Sequence, residues 1–271
     1  MGLRADGIAS IYRDAGPRIF PTLSWASRAW VWTAGWVRTK YPTARLRAEL
    51  QSQFGDRQIG EAQTRLVVPS WDRTAQREYV WKTRHCGRFR SDHTKPIVNA
   101  LISTASAPTY FSCASRHGGT GLVDGGVWAN NPMLIATIEA LGVLKWAPES
   151  VHMLSLGCVR EDEIPPESGG LIRWARPGTT LLMQAQSRLA IGGTYLLTGD
   201  RPNSPRRIFR IEATAPKGYF SLDGAHALSE MEGLGHSLAR QYLDHVGPIF
   251  FNGPASPFKP LPVDAADDDL A

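Results

Sequence analysis

Gly119-Thr120-Gly121-Leu122-Val123-Asp124-Gly125-Gly126-Val127-Trp128-Ala129-Asn130-Asn131-Pro132 is the stretch around which the chain is organised. Leu122 and Val123 end a short apolar run. Asp124-Gly125-Gly126 reads as a sharp turn, which glycine adopts at little cost because positive φ is open to it. Asn131 suits a helix cap and Pro132 a first helical turn. Met133 to Trp146 then reads as the helix, with Leu134, Ile138 and Leu141 on one face. An aspartate is thereby placed between a buried strand and a helix, where α/β enzymes carry catalytic groups. An Asp-Gly-Gly alone signals only a turn. Its neighbours make it specific.

A companion segment stands upstream: Ser103-Thr104-Ala105-Ser106-Ala107-Pro108-Thr109-Tyr110-Phe111. Taken in order, the two segments resemble those of the patatin-like acyl hydrolases (bacterial patatin-like phospholipases). There the catalytic aspartate lies in an Asp-Gly-Gly/Ala turn before an Asn-Asn-Pro helix start. The resemblance implies an α/β, three-layer domain with a mostly parallel central sheet. It also implies hydrolysis of lipid acyl esters by a Ser-Asp dyad, in lipid metabolism and degradation. Acyl transfer needs an activated nucleophile, a base, and donors for the tetrahedral oxyanion. In this family an aspartate takes the serine proton directly, without a histidine between them. Asp124 matches that base. Gly125 and Gly126 are positional, and Ser103 and Ser106 lie near the site without being nucleophiles.

The nucleophile is the departure from the pattern. Neither Gly-x-Ser-x-Gly nor Gly-x-Gly-x-x-Gly occurs in the 271 residues, and Ser155, in Met153-Leu154-Ser155-Leu156-Gly157, lacks the first glycine. In the family, the helix after the nucleophile runs into a Gly-Pro-x-Ile-Phe-Pro segment, which Gly16-Pro17-Arg18-Ile19-Phe20-Pro21 matches. The expectation is therefore a patatin-like domain over 1–256 that begins inside that helix. The first strand and nucleophile turn fall outside this chain, so the chain alone is expected to be inactive. The alternative is a non-catalytic descendant that binds lipid or a membrane surface.

Composition agrees with a globular protein: 42% hydrophobic and 20% charged residues. The formal net charge of +5 hides an asymmetry, since Asp264, Asp267, Asp268 and Asp269 lie in the last eight residues and removing them leaves +9. A basic body suits an anionic membrane surface as an additional partner to the lipid substrate. The arginines are scattered and no nucleic-acid-binding signature is present, so no nucleic acid is expected. Three distant cysteines, Cys86, Cys113 and Cys158, fit a reduced, cytoplasmic chain. No cofactor and no metal is expected, because His85, Cys86 and His93 are too sparse for a zinc site. The first twenty residues carry five charges and no apolar core, so no signal peptide is read there. No run is long enough for a membrane-spanning helix.

The remaining elements follow from periodicity. Leu3 to Asp14 has weak helical spacing, ended by Gly16-Pro17. Ser24 to Val37 carries Trp25, Trp30, Trp32 and Trp36 and reads as a helix packed on the core, with a membrane-facing lid as the other reading. Tyr41 to Phe54 is a helix with Leu46, Leu50 and Phe54 on one face, closed by Gly55. Thr64 to Pro69 and Tyr79 to Lys82 are strands, Ser91 to Lys95 a polar loop, and Pro96 to Ser103 a helix start. His117 is read as a solvent-facing loop residue. Val151 to Leu156 is a buried strand, Arg160 to Gly170 a loop, Thr179 to Leu189 a helix and Arg207 to Ile211 a strand. His226 to Val246 is an amphipathic helix with Leu228, Met231, Leu234, Leu238 and Tyr242 along its apolar face. Residues 257–271 are expected to be a disordered acidic tail.

Overall fold

The computed structural model describes residues 5–21, 39–115, 121–161, 164–216, 218–219, 223–224 and 227–262. The tryptophan-rich stretch and His117 lie outside the described residues. The chain forms two compact units, one built from the residues up to Trp128 with those from Pro257 onward, the other from the residues between Ala129 and Ser256.

The first unit begins with helix α1 (Ala5–Ile19) and helix α2 (Thr43–Phe54). Helix α1 runs through Gly16-Pro17 rather than stopping before it. Proline forgoes one intrahelical bond there, and Phe20 N–H still donates to Gly16 O at 2.8 Å. Arg18 crosses to α2 and grips both carboxylate oxygens of Glu49, at 2.6 and 2.7 Å. Gly55 closes α2 at φ +56°, a left-handed position that suits glycine. Strands β1 (Val67–Asp72) and β2 (Arg77–Lys82) form a hairpin, and helix α3 (Ile97–Thr104) follows. Strands β3 (Ala114–Ser115) and β4 (Gly121–Asp124) complete a four-stranded sheet in the order β2-β1-β4-β3. Its core gathers Ile59, Trp81, Ile97, Val98, Ile102 and Leu122.

Every pair in this sheet is antiparallel. Among the described residues, the parallel geometry expected of the sheet is found only in the second unit. The four residues between β1 and β2 are too few for the crossover that a parallel pair needs. Pro69, expected to end its strand, sits inside β1. Pairing with β4 starts one residue later, at Ser70, so at Pro69 only β2 still flanks β1.

The second unit is built on one long helix, Leu171–Thr198. After the one-turn helix α4 (Gly126–Ala129), helix α5 (Met133–Ile138) continues as a π-helical segment over Glu139–Val143. The wider turn shifts the helical face, leaving Ile138 exposed while Leu134 and Leu141 pack into the core. Strand β5 (Met153–Leu156) pairs in parallel with β7 (Ile208–Ile211), and β6 (Arg160–Glu161) with β8 (Thr214–Ala215). Only Ser155 of β5 is buried and Leu156 is 73% exposed, so this strand is less covered than its apolar composition suggests. Helix α6 (Leu171–Thr198) begins eight residues before the expected start and carries Pro177-Gly178 inside it. Its Gly193 lies against Leu134, and Thr137 and Thr194 share a hydroxyl bond of 3.1 Å.

Helix α7 (Leu228–Phe250) shows the expected face. Leu228, Met231, Leu234, Leu238 and Tyr242 are half-buried, and the residues between them are exposed. The described start of the acidic tail is held in place. Phe258 N–H donates to Gln63 O at 3.2 Å and Leu261 N–H to Arg84 O at 2.8 Å, while the Arg65 guanidinium lies over the Phe258 ring. Residues 263–271 lie outside the described residues.

Candidate active site

Asp124 is the last residue of β4, and its backbone is fixed on two sides. It stands opposite Ser70 of β1, and its N–H donates to Ser106 O at 3.1 Å. The segment 103–111 and the aspartate turn are thus brought together, as the sequence suggested. Gly126 N–H donates to Asp124 Oδ1 at 2.6 Å, an Asx-type bond that orients the carboxylate at the start of α4. Burial raises the Asp124 carboxyl above the ordinary carboxylate value, and the Gly126 bond partly opposes that rise. The result is a half-buried carboxylate with increased proton affinity, held by a backbone donor.

The glycines act through space rather than through φ. Neither Gly125 nor Gly126 has a positive φ. A Cβ on Gly125 would lie 2.3 Å from Pro69 O and 2.6 Å from Pro69 C, so only glycine fits without moving a strand. Thr104 Oγ1 donates to the same Pro69 carbonyl at 2.7 Å, and Trp128 Nε1 donates to Ser70 O at 3.0 Å. Pro69, Ser70, Thr104 and Trp128 therefore brace the turn. Sequence reasoning missed them because close approach between strands leaves no local signal.

Ser103 and Ser106 are structural. The Ser103 hydroxyl bonds back to its own helix and accepts from Trp81 Nε1 at 2.9 Å, and Ser106 Oγ donates to Ile102 O at 2.7 Å. Thr109 in the same segment has φ +72°, a costly conformation for a β-branched residue of the kind found near functional sites. Its carbonyl accepts from Lys40 N–H at 2.9 Å.

Asn130 and Asn131 stitch the following turn to α6 within the second unit. The N-cap of α5 is Pro132 rather than the expected Asn131, yet Asn131 Oδ1 accepts from Met133 N–H at 3.2 Å and its Nδ2 reaches Ser187 Oγ at 3.2 Å. Asn130 Nδ2 donates to Met183 O at 3.4 Å.

Comparison with known proteins identifies the family. Residues 3–137, about half the chain, match the model of the patatin-like phospholipase family. The chain is 26% identical to a cGAMP-activated phospholipase of Pseudomonas aeruginosa, over 91% of this chain and 78% of that protein. It is 34% identical to patatin-like protein 2 of rice (Oryza sativa subsp. indica), over 49% of this chain and 35% of that protein. A cGAMP-activated phospholipase of Escherichia coli is 26% identical over 64% of this chain and 50% of its own length. The chain belongs to the patatin-like phospholipase family.

Proposed function

We propose that the chain carries the general base of a lipid acyl hydrolase that acts by a Ser-Asp dyad on lipid esters. The observation that supports this reading is the Asp124 carboxylate. It is half-buried, raised in proton affinity, and held by Gly126 N–H at the end of a strand. Such a carboxylate accepts a serine proton during attack on an ester carbonyl and returns it to the leaving alcohol. Raised basicity favours that transfer, and the Gly126 bond aims the group. No Gly-x-Ser-x-Gly pattern occurs among these 271 residues. The test is ester and phospholipid hydrolysis by the chain extended upstream through a Gly-x-Ser-x-Gly segment. Turnover that Asp124→Asn abolishes supports the reading, and turnover that survives it overturns the reading.

A second reading concerns control. The likeness to the Pseudomonas cGAMP-activated phospholipase covers 91% of the chain, well past residue 137 where the family match ends. The region beyond the family match is therefore shared with a nucleotide-activated relative. On this reading cGAMP binds the chain and raises its thermal unfolding temperature at micromolar nucleotide, and an unchanged melt removes the reading. Contact with an anionic membrane surface, through the basic body, is the remaining part of the proposal, tested by sedimentation with anionic against neutral vesicles.

A further inference from the structure

Ser70 is the β1 residue directly opposite Asp124. Directly opposed residues of an antiparallel ladder present their side chains on the same face, with Cβ atoms about 4.5–5.5 Å apart. Ser70 is fully buried at 0% exposure, and its hydroxyl has no hydrogen-bond partner among the described residues. That sets it apart from the other buried hydroxyls nearby. Ser103, Thr104 and Ser106 each donate to a backbone carbonyl. A buried hydroxyl without a partner is costly, and such groups are retained where they have work beyond folding. Across the ladder, Asp124 uses Oδ1 for Gly126 N–H, while Oδ2 takes no donor among the described residues.

We propose that Ser70 is a positioning residue for the dyad, its hydroxyl donating to Asp124 Oδ2. The contact needs only a turn about the Ser70 side-chain bond, at the reach typical of cross-strand hydroxyl pairs. Gripped by Gly126 N–H on one oxygen and Ser70 on the other, the carboxylate cannot spin about its Cβ–Cγ bond. A lone pair stays aimed at the hydroxyl that is to lose its proton. The use of this contact in catalysis rests on Asp124 being the base, whereas the contact itself does not. The charged or titratable groups at the ends of the elements around β4 are Asp72, Arg73 and Cys113. Asp72 pairs with Leu122, and Arg73 and Cys113 lie beside Gly121, two and three residues along the strand from Asp124. Helices α3 and α4 present no charged residue.

The test is the Asp124 titration in the 271-residue chain, followed by carbon-13 carboxyl NMR, with Ser70→Ala and Ser70→Thr. Ser70→Ala removes one oxygen from a site with no other partner, so the fold is retained. Loss of a donor to the charged form moves the Asp124 midpoint up by about one unit, a tenfold gain in proton affinity. Ser70→Thr keeps the midpoint of the parent. Unfolding midpoints against pH give a second readout. Ser70→Ala changes the pH dependence when Asp124 is present and leaves it unchanged in the Asp124→Asn background, whereas mere packing shifts stability equally in both. An Asp124 titration unmoved by Ser70→Ala overturns the proposal and leaves the base reading standing. Hydrolysis that tolerates Asp124→Asn overturns the base reading and leaves the Ser70 contact standing.

Discussion

A Cβ on Gly125 would stand 2.3 Å from the carbonyl oxygen of Pro69. That carbonyl cannot retreat freely, because Thr104 Oγ1 donates to it at 2.7 Å and β1 is paired on both sides from Ser70 onward. Gly125→Ala therefore pushes the turn away from β1 and strains the Asp124–Ser70 pairing. The expected cost is about 1–3 kcal/mol, the usual range for overpacking. Urea unfolding of the first unit measures it. Gly126→Ala is the control, because Gly126 is a helical residue of α4 with ordinary φ. A Gly125→Ala variant as stable as the parent would refute the close approach.

Asp124 is held in a way that disfavours its charge. Burial raises its proton affinity, so the folded state favours the neutral acid. The stability this contributes is fully present below the unfolded carboxylate value and is lost as pH rises through the folded value. Asp124→Asn keeps the oxygen that accepts from Gly126 N–H and cannot ionise. The variant is expected to melt higher than the parent at neutral pH, with the difference closing in acid. In the upstream-extended enzyme, activity rises with pH through the same raised titration, above the ordinary carboxylate range. Melting curves from pH 3 to 8 check the first statement and a pH–rate profile the second.

Asn131 joins two elements with one side chain. Its Oδ1 accepts from Met133 N–H and its Nδ2 donates to Ser187, and the residue is only 4% exposed. Asn131→Ala loses the acceptor for Met133 N–H and leaves the Ser187 hydroxyl short of a partner, an expected loss of about 2 kcal/mol. Asn131→Asp keeps the acceptor and loses the donor, so its cost falls between parent and alanine. Denaturant unfolding of the three proteins gives the order. Equal stability of the aspartate variant and the parent would show that the bond to α6 carries nothing.

The sequence was readable where local chemistry decides and unreadable where contacts between distant segments decide. The α7 face at Leu228, Met231, Leu234, Leu238 and Tyr242 followed from spacing alone, because a helix with one covered side repeats its apolar residues. The aspartate turn and the helix start after Asn131 were also legible, the latter to within one residue, since both depend on neighbours within a few residues. Pro69 misled because proline ordinarily ends a strand, and only the position where β4 pairing starts makes room for it. Pro177-Gly178 hid the first turns of α6 in the same way. Ile138 was assigned to the buried face because a π-helical turn has no reliable local signature. Ser70 carried no signal at all, because nothing in Val68-Pro69-Ser70-Trp71 tells that Asp124 will lie opposite.

Asp200 shows the opposite electrostatics to Asp124. Burial pushes its carboxyl up, but backbone N–H groups of Arg207, Ile208, Arg206 and Arg201 together outweigh that and hold it below the ordinary carboxylate value. Oδ2 accepts from Ile208 N–H at 2.9 Å and from Arg207 N–H at 3.0 Å, and both oxygens receive Arg206 N–H. The carboxylate thus folds residues 200–207 into the turn that launches β7, next to Tyr195, whose hydroxyl donates to Ile208 O at 3.0 Å. A lowered folded value means the stabilisation is present above the unfolded carboxylate value and is lost as pH falls through the folded value. Asp200→Asn should therefore destabilise the second unit at neutral pH and match the parent in acid. Asp200→Ala, which leaves several N–H groups without an acceptor, should cost about 2 kcal/mol or more at neutral pH. Melting both variants beside Asp124→Asn gives pH trends of opposite sign in one protein. A neutral-pH gain for Asp200→Asn would show that burial, not the backbone donors, governs this carboxylate.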